Sequence, residues 1–153
     1  MDSTIIRDAT GEDAGSLADL AAQLGYPSSA ESIRSRLGKY ADNPDERVLA
    51  AELDGRVVGW TSVGVVDHFY TPVYVEISGF VVDGKHRSAG IGAALMGQVK
   101  EWAKAKGVGI VRLRANVVRV DAHRFYEREG FTKVKEQFTF ETKVDATGAR
   151  DER

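Results

Sequence analysis

The chain contains no cysteine among its 153 residues. This absence excludes disulfide bonds, thiolate zinc sites and a cysteine nucleophile, and no metal site is predicted. The chain also lacks an apolar run long enough to span a bilayer, and residues 1–13 lack the basic and apolar regions of a signal peptide. We therefore expect a cytoplasmic protein that does not bind a membrane.

The sequence also has no excess of basic residues. Lys and Arg total 21 against 23 Asp and Glu, and the net charge is −2. Because a nucleic-acid surface normally requires a basic excess, no nucleic-acid partner is expected. The length and the 42% hydrophobic content are typical of one globular domain. We expect this domain to span residues 1–144, followed by a polar, frayed tail at 145–153.

The first half of the chain predicts a strand, two short helices and a β-hairpin. Residues 4–7 form the strand, and apolar residues at helical spacing place the helices before and after a break at residues 24–27. The hairpin joins strands 48–53 and 57–66 through Asp54-Gly55, a strong turn signal between β-branched runs.

The second half predicts strand, glycine-rich turn, helix, strand and helix. The strands are 73–83 and 110–115, the helices follow at 91–106 and 121–129, and a final extended run covers 132–144. Gly79 permits a β-bulge in the first of these strands. If that strand is regular, Glu76 shares a face with Tyr74, Ser78 and Phe80, and a bulge would change this arrangement.

Residues 87–93 read Arg-Ser-Ala-Gly-Ile-Gly-Ala and lead directly into a helix. Helix N-termini present unpaired N–H groups and a partial positive charge. Gly90 and Gly92 lack the Cβ atoms that would keep a bulky anion away, so the segment predicts a phosphate cradle. A turn without a ligand is the alternative. A dinucleotide fingerprint is disfavoured because Leu95 occupies the third glycine position, and no Gly-Lys-Ser/Thr follows.

Two motifs in this half resemble the GNAT superfamily of N-acetyltransferases. The cradle is similar to the family's acetyl-coenzyme A pyrophosphate motif, Arg/Gln-x-x-Gly-x-Gly/Ala, at Arg87, Gly90 and Gly92. The later run, VDAHRFYEREGF, resembles the family's Ala-x-x-x-Tyr-x-x-x-Gly-Phe signature at Ala122, Tyr126, Gly130 and Phe131. The resemblance implies an α+β (α/β) fold with a central mixed, mostly antiparallel sheet of roughly six to seven strands and about four helices.

The resemblance also implies an acetyl-CoA-dependent N-acetyltransferase and a set of cofactor-binding residues. These residues are Phe80, Val81 and Val82 on the strand, Arg87, Ser88, Ala89, Gly90, Ile91, Gly92 and Ala93 in the cradle, and Arg119, Ala122 and Phe125 near the second motif. Arg119 stands where many members carry asparagine. It either binds the cofactor phosphates or is a surface arginine.

By the same resemblance, Tyr126 is the candidate general acid and Glu76 the candidate general base. Glu76 lies eleven residues before Arg87, the offset of the basic glutamate in histone-acetylating members. The alternatives are that Tyr126 is a core aromatic and that Glu76 faces solvent. His68 is a further base candidate, although a loop histidine is more often a hydrogen-bonded surface residue.

The acceptor is expected to be a primary amine of a small molecule or a peptide. Aromatic residues at Tyr26, Phe69, Tyr70 and Tyr74 are the candidates for its cleft. The final extended run offers an edge for a homodimer. The competing hypothesis is a non-catalytic module that binds acyl-CoA as a sensor or assembles with a partner.

Overall fold

The computed structural model describes residues 4–87, 89–115, 120–148 and 150, in two compact units divided between Arg114 and Ala115. The first unit contains β1 (Thr4–Asp8), α1 (Ala14–Leu24), α2 (Ala30–Ala41), β2 (Glu46–Leu53), β3 (Arg56–Val66), β4 (Tyr74–Val82), α3 (Ile91–Ala105) and β5 (Val111–Leu113). The second contains α4 (Val120–Arg128). Ser88 and Arg119 lie outside the described residues, and the single domain over residues 1–144 stays a prediction.

The sheet has the strand order β1-β2-β3-β4-β5. Its first three pairings are antiparallel, whereas β5 pairs with β4 in parallel after the α3 crossover. The predicted mixed, mostly antiparallel α+β sheet is therefore confirmed. The described residues form five strands and four α-helices, and the number of strands is smaller than the six to seven expected.

The predicted final strand accounts for part of that difference. Described residues 131–148 contain no strand. Val134, Phe138 and Phe140, which the alternation places on one face of the run, are 74%, 89% and 91% exposed. A period-two pattern indicates a face suited to burial, but a strand also needs a neighbour to pair its backbone groups. This prediction of a strand was wrong for the described residues, and the homodimer stays a prediction.

Two layers of helix cover the sheet of the first unit, one on each face. A Cβ added to Gly59 would lie 3.4 Å from Leu95 of α3. The next residue, Trp60, turns to the other face, where its indole N–H donates to the Leu17 carbonyl of α1 at 3.2 Å. Side chains of α3 at Ile91, Leu95, Met96, Val99 and Ala103 are buried. Burial of each large aliphatic side chain contributes about 1.5–3 kcal/mol.

An ion pair joins β1 to the residue that precedes α1. Arg7 donates from Nη1 and Nη2 to the two Asp13 carboxylate oxygens at 2.8 and 2.9 Å. The Thr10 N–H also donates to Asp13 at 2.8 Å, as in a capping box. The Arg7 hydrogen bonds lower the pKa of Asp13, although burial opposes them, and the same pair raises the pKa of Arg7. The start of α1 is thereby fixed against the sheet edge.

The remaining predicted boundaries agree closely with the structure. Asp54 and Gly55 form the β2–β3 hairpin with φ of 50° and 80°. The Ser29 hydroxyl accepts from the Ser32 N–H at 3.0 Å and caps α2. No helix of the described residues is long and apolar enough to cross a membrane.

Candidate active site

The predicted cradle lies at the start of α3. Gly90 is the N-cap residue with φ 81° and ψ 6°, and no described side chain caps the helix there. The first helical bond runs from the Ala94 N–H to the Gly90 carbonyl at 3.0 Å. The N–H groups of Ile91, Gly92 and Ala93 therefore begin the helix without intrahelical acceptors. A Cβ at Gly90 would meet nothing within 4 Å, so the space around this N-cap residue is open.

The turn that leads into the cradle is held by a residue that the sequence analysis missed. Gln23 of α1 donates to Asp83 Oδ1 at 3.2 Å and accepts from the Gly84 N–H at 3.0 Å. Asp83 also accepts from the Lys85 N–H at 3.3 Å and lies 3.1 Å from His86 Nδ1. The Gln23 hydrogen bond is the main reason that the pKa of Asp83 is lowered. No local pattern marks Gln23, because its partners are 60 and 61 residues away.

The strand before this turn contains the predicted bulge. Ser62 pairs with Gly79 and Val63 with Ile77, which leaves Ser78 as an extra residue in β4. A Cβ at Gly79 would lie 2.7 Å from the Trp60 ring, so glycine is required for this close packing. The Gly79 carbonyl accepts from the buried Thr61 hydroxyl at 2.8 Å.

The bulge changes which backbone groups of β4 face β5. Before it, the Val75 N–H donates to Ile110 on the β5 side at 2.8 Å. After it, the Asp83 N–H donates to Val58 of β3 at 2.8 Å. Because the backbone N–H and C=O groups of successive residues point to opposite edges of a strand, those of Val82 point to the β5 side. The described β4–β5 pairing ends at Ile77.

Glu76 lies just before the bulge. It pairs with Gly64 of β3 and Arg112 of β5, and its side chain is 26% exposed. Its nearest ionic partner is Arg114, whose Nη2 is 3.6 Å from Oε2. Phe80 pairs with Thr61 and lies on the opposite face, which corrects the shared face expected for a regular strand.

The four aromatic residues predicted to line the cleft of the amine acceptor divide into two groups. Tyr74 is buried, its hydroxyl lies 3.4 Å from His68 Nε2, and the His68 ring stacks on Tyr70 at 6.0 Å between centroids. Tyr26 is 57% exposed, and the Phe69 side chain is fully exposed. Tyr70 and Tyr74 therefore both lie beside His68.

The second unit contains the remaining candidates. Tyr126 is half-buried on α4 and packs edge-on against Phe125 and Phe131, with centroids 5.6 and 6.3 Å apart. The Phe131 N–H donates to the Tyr126 carbonyl at 3.0 Å, after a turn at Gly130 with φ 96°. Ala122 is half-buried on the same helix. The described residues contain no group of three or more acidic or histidine side chains suited to a metal ion.

Two solved structures of named acetyltransferases share this fold. Aminoglycoside N-acetyltransferase AAC(6')-Iy in complex with CoA superposes with a TM-score of 0.81 at 16% identity, covering 94% of this chain and 97% of that one. Glucosamine-6-phosphate N-acetyltransferase from Arabidopsis thaliana gives 0.79 at 21% identity, covering 91% and 98%. At these identities the likeness shows the fold alone.

Comparison of sequences is more specific than the likeness of folds. A model of the Acetyltransferase (GNAT) family matches residues 16–131. The aminoalkylphosphonate N-acetyltransferase of Salmonella typhimurium is 31% identical over 136 residues, which are 88% of this chain and 88% of that protein. The chain belongs to the GNAT family of acetyltransferases. Membership makes it an acyltransferase with acetyl-CoA as its acetyl donor.

Proposed function

We propose that this enzyme acetylates the primary amine of a small molecule by direct attack, with Glu76 as the general base and Tyr126 as the general acid. The observation that carries the proposal is the position of Glu76, half-buried on the strand that leads through the bulge into the cradle. Small amines are favoured over peptides because the similar proteins described above are named for small-molecule substrates.

The cradle residues hold the donor in this proposal. The backbone N–H groups of residues 88–93 and the exposed Arg87 side chain bind its diphosphate. The backbone of Phe80–Val82 pairs with the pantetheine arm, and Ala122, Phe125 and Arg119 line its path by family resemblance. When bound, acetyl-CoA supplies an acetyl group activated as a thioester.

The two catalytic side chains move protons at defined atoms. The Glu76 carboxylate accepts a proton from the ammonium of the acceptor, directly or through water, so the nitrogen regains the lone pair that forms the new N–C bond. Tyr126 Oη donates a proton to the sulfur as the C–S bond breaks, and the tyrosinate is reprotonated by the second proton that the nitrogen loses on becoming the amide. Holding donor and amine together adds the advantage of an intramolecular reaction.

The test measures coenzyme A release with a thiol reagent, which meets no protein background because the chain has no cysteine. We expect Glu76→Gln and Tyr126→Phe each to lower kcat by roughly 10²–10⁴, the range for losing one acid or base. Coenzyme A affinity should change little, since neither residue contacts the diphosphate in this proposal. Glu101→Gln on the exposed face of α3 is the matched control and should retain full activity.

Three outcomes would contradict this proposal. Unchanged turnover in Tyr126→Phe would remove the acid role, and unchanged turnover in Glu76→Gln would remove the base role. Tight binding of acetyl-CoA without release on any amine would instead identify a non-catalytic acyl-CoA binder.

A further inference from the structure

Two arginines lie beside Glu76 on the adjacent strand. Arg112 is the parallel partner of Glu76, and neighbouring strands lie about 4.8 Å apart. Side chains of paired residues share a face, and residues two apart on a strand do so as well. Arg112 and Arg114 therefore both stand on the face of the sheet that carries Glu76. Two arginines thus lie beside Glu76 on this face.

Arg112 is fixed in orientation but not neutralised. Its guanidinium carbon lies 4.6 Å from the centre of the Tyr74 ring, and the side chain is half-buried. Within the described residues, Arg112 makes no ion pair or side-chain hydrogen bond. Stacking occupies the face of the guanidinium plane and leaves its edge, with five N–H donors, for an acceptor. A planar edge of this kind matches phosphate, phosphonate or carboxylate oxygens in bidentate geometry.

The platform beneath Arg112 is itself held in place. Tyr74 is 4% exposed and its hydroxyl is 3.4 Å from His68, which stacks on Tyr70. A fixed ring reduces the conformational entropy that Arg112 would lose on binding a ligand. Arg114, in contrast, is 79% exposed and contacts Glu76 at 3.6 Å, so it can turn towards a ligand without breaking a close hydrogen bond.

We infer that Arg112 and Arg114 bind an anionic group of the acceptor while Glu76 faces its ammonium. This inference rests on the proposed function, and it defines the acceptors as short amines that also carry a phosphate, phosphonate or carboxylate. The opposite charges on paired strands then align the amine with the base. A neutral amine gains the Glu76 contact but not the arginine contacts.

The test compares acceptors that differ only in the anion. Phosphoethanolamine is paired with ethanolamine, and β-alanine with β-alaninamide, in the coenzyme A release assay. A hydrogen bond to a charged group corresponds to about 10- to 150-fold in kcat/KM, so we expect at least one anionic member to be preferred by that factor. Arg114→Gln and Arg112→Gln should reduce the preference, mainly through KM. Arg56→Gln on the exposed start of β3 is the control and should preserve it.

Stability must be followed together with activity, because Arg112 also packs on Tyr74. Arg112→Lys keeps the charge but loses the planar edge, and we expect it to recover only part of the preference. Arg114→Gln removes an exposed side chain and should leave the melting temperature unchanged. Equal rates for the anionic and neutral members of both pairs would overturn the inference while leaving acetyl transfer intact. A preference that survives both glutamine variants would overturn it as well. If none of the amines caused release of coenzyme A, that result would count against the proposed function instead.

Discussion

Helix α3 has a glycine with positive φ at each end, and substituting each one separates backbone strain from cofactor binding. Gly90 precedes the helix with φ 81°, and Gly107 follows it with φ 73°. A Cβ at either position would meet nothing within 4 Å, so Gly90→Ala and Gly107→Ala differ little in steric cost. Each introduces a left-handed alanine at about 1–2 kcal/mol. The melting temperature should fall by about 2–8 °C in both.

Only the change at Gly90 should weaken coenzyme A binding. Its Cβ enters the open space before the N–H groups of residues 91–93, where the diphosphate is proposed to bind. Displacing the anion by the radius of a methyl group would lengthen at least one charge-assisted hydrogen bond. Losing one such bond corresponds to about 1.5–3 kcal/mol, or about a 10- to 150-fold higher Kd.

Titration calorimetry with coenzyme A and thermal unfolding of the same preparations measure both effects. The expected result is two proteins of similar stability, of which only Gly107→Ala keeps the parent affinity. Equal affinity in Gly90→Ala and Gly107→Ala would refute the cradle. Equal loss in both would show that the strain, rather than the added methyl group, weakens binding.

Two further predictions concern stability. Asp13→Asn should lower the free energy of unfolding by about 1.5–3 kcal/mol at pH 7, because the charged hydrogen bonds to Arg7 are lost. Since the folded-state pKa of Asp13 is lowered, this contribution is present above the unfolded value of about 3.9 and is lost as the pH falls through the folded value. Urea unfolding curves of parent and variant should therefore converge in acid, and a constant difference down to pH 2 would contradict this. Gly79→Ala forces a Cβ to within 2.7 Å of Trp60 and should cost about 1–3 kcal/mol in thermal unfolding, whereas Gly97→Ala, with nothing within 4 Å, should not destabilise.

The sequence predicted most elements of the first unit because their signals are local. Hydrophobic periodicity places a helix after Gly90, and Asp54-Gly55 marks a hairpin whatever the rest of the chain does. Gly79 was expected to permit a bulge, and the register has one at the neighbouring Ser78. Its effect on Phe80 was not fixed by the sequence, because an extra residue changes the face of every side chain beyond it.

Features that depend on contacts distant in sequence could not be predicted. Gln23 holds the cradle turn from 60 residues away, and Arg112 meets Glu76 only through the register of parallel strands. The strand expected at residues 132–144 failed for a related reason, since its apolar alternation says nothing about whether a partner strand pairs with it. Local patterns thus predicted the glycine-rich turn before α3, whereas the two arginines beside Glu76 can be recognised only from the strand pairing.

Ser78 adds to β4 one residue that has no partner on β3. Removing it would restore a continuous ladder in which Glu76 still pairs with Gly64 and Phe80 with Thr61, so both side chains would keep their present faces. A deletion would instead remove the local bend and the extra twist that a bulge gives to its strand. The shape of β4 can therefore be changed at this point without exchanging the faces of Glu76 and Phe80.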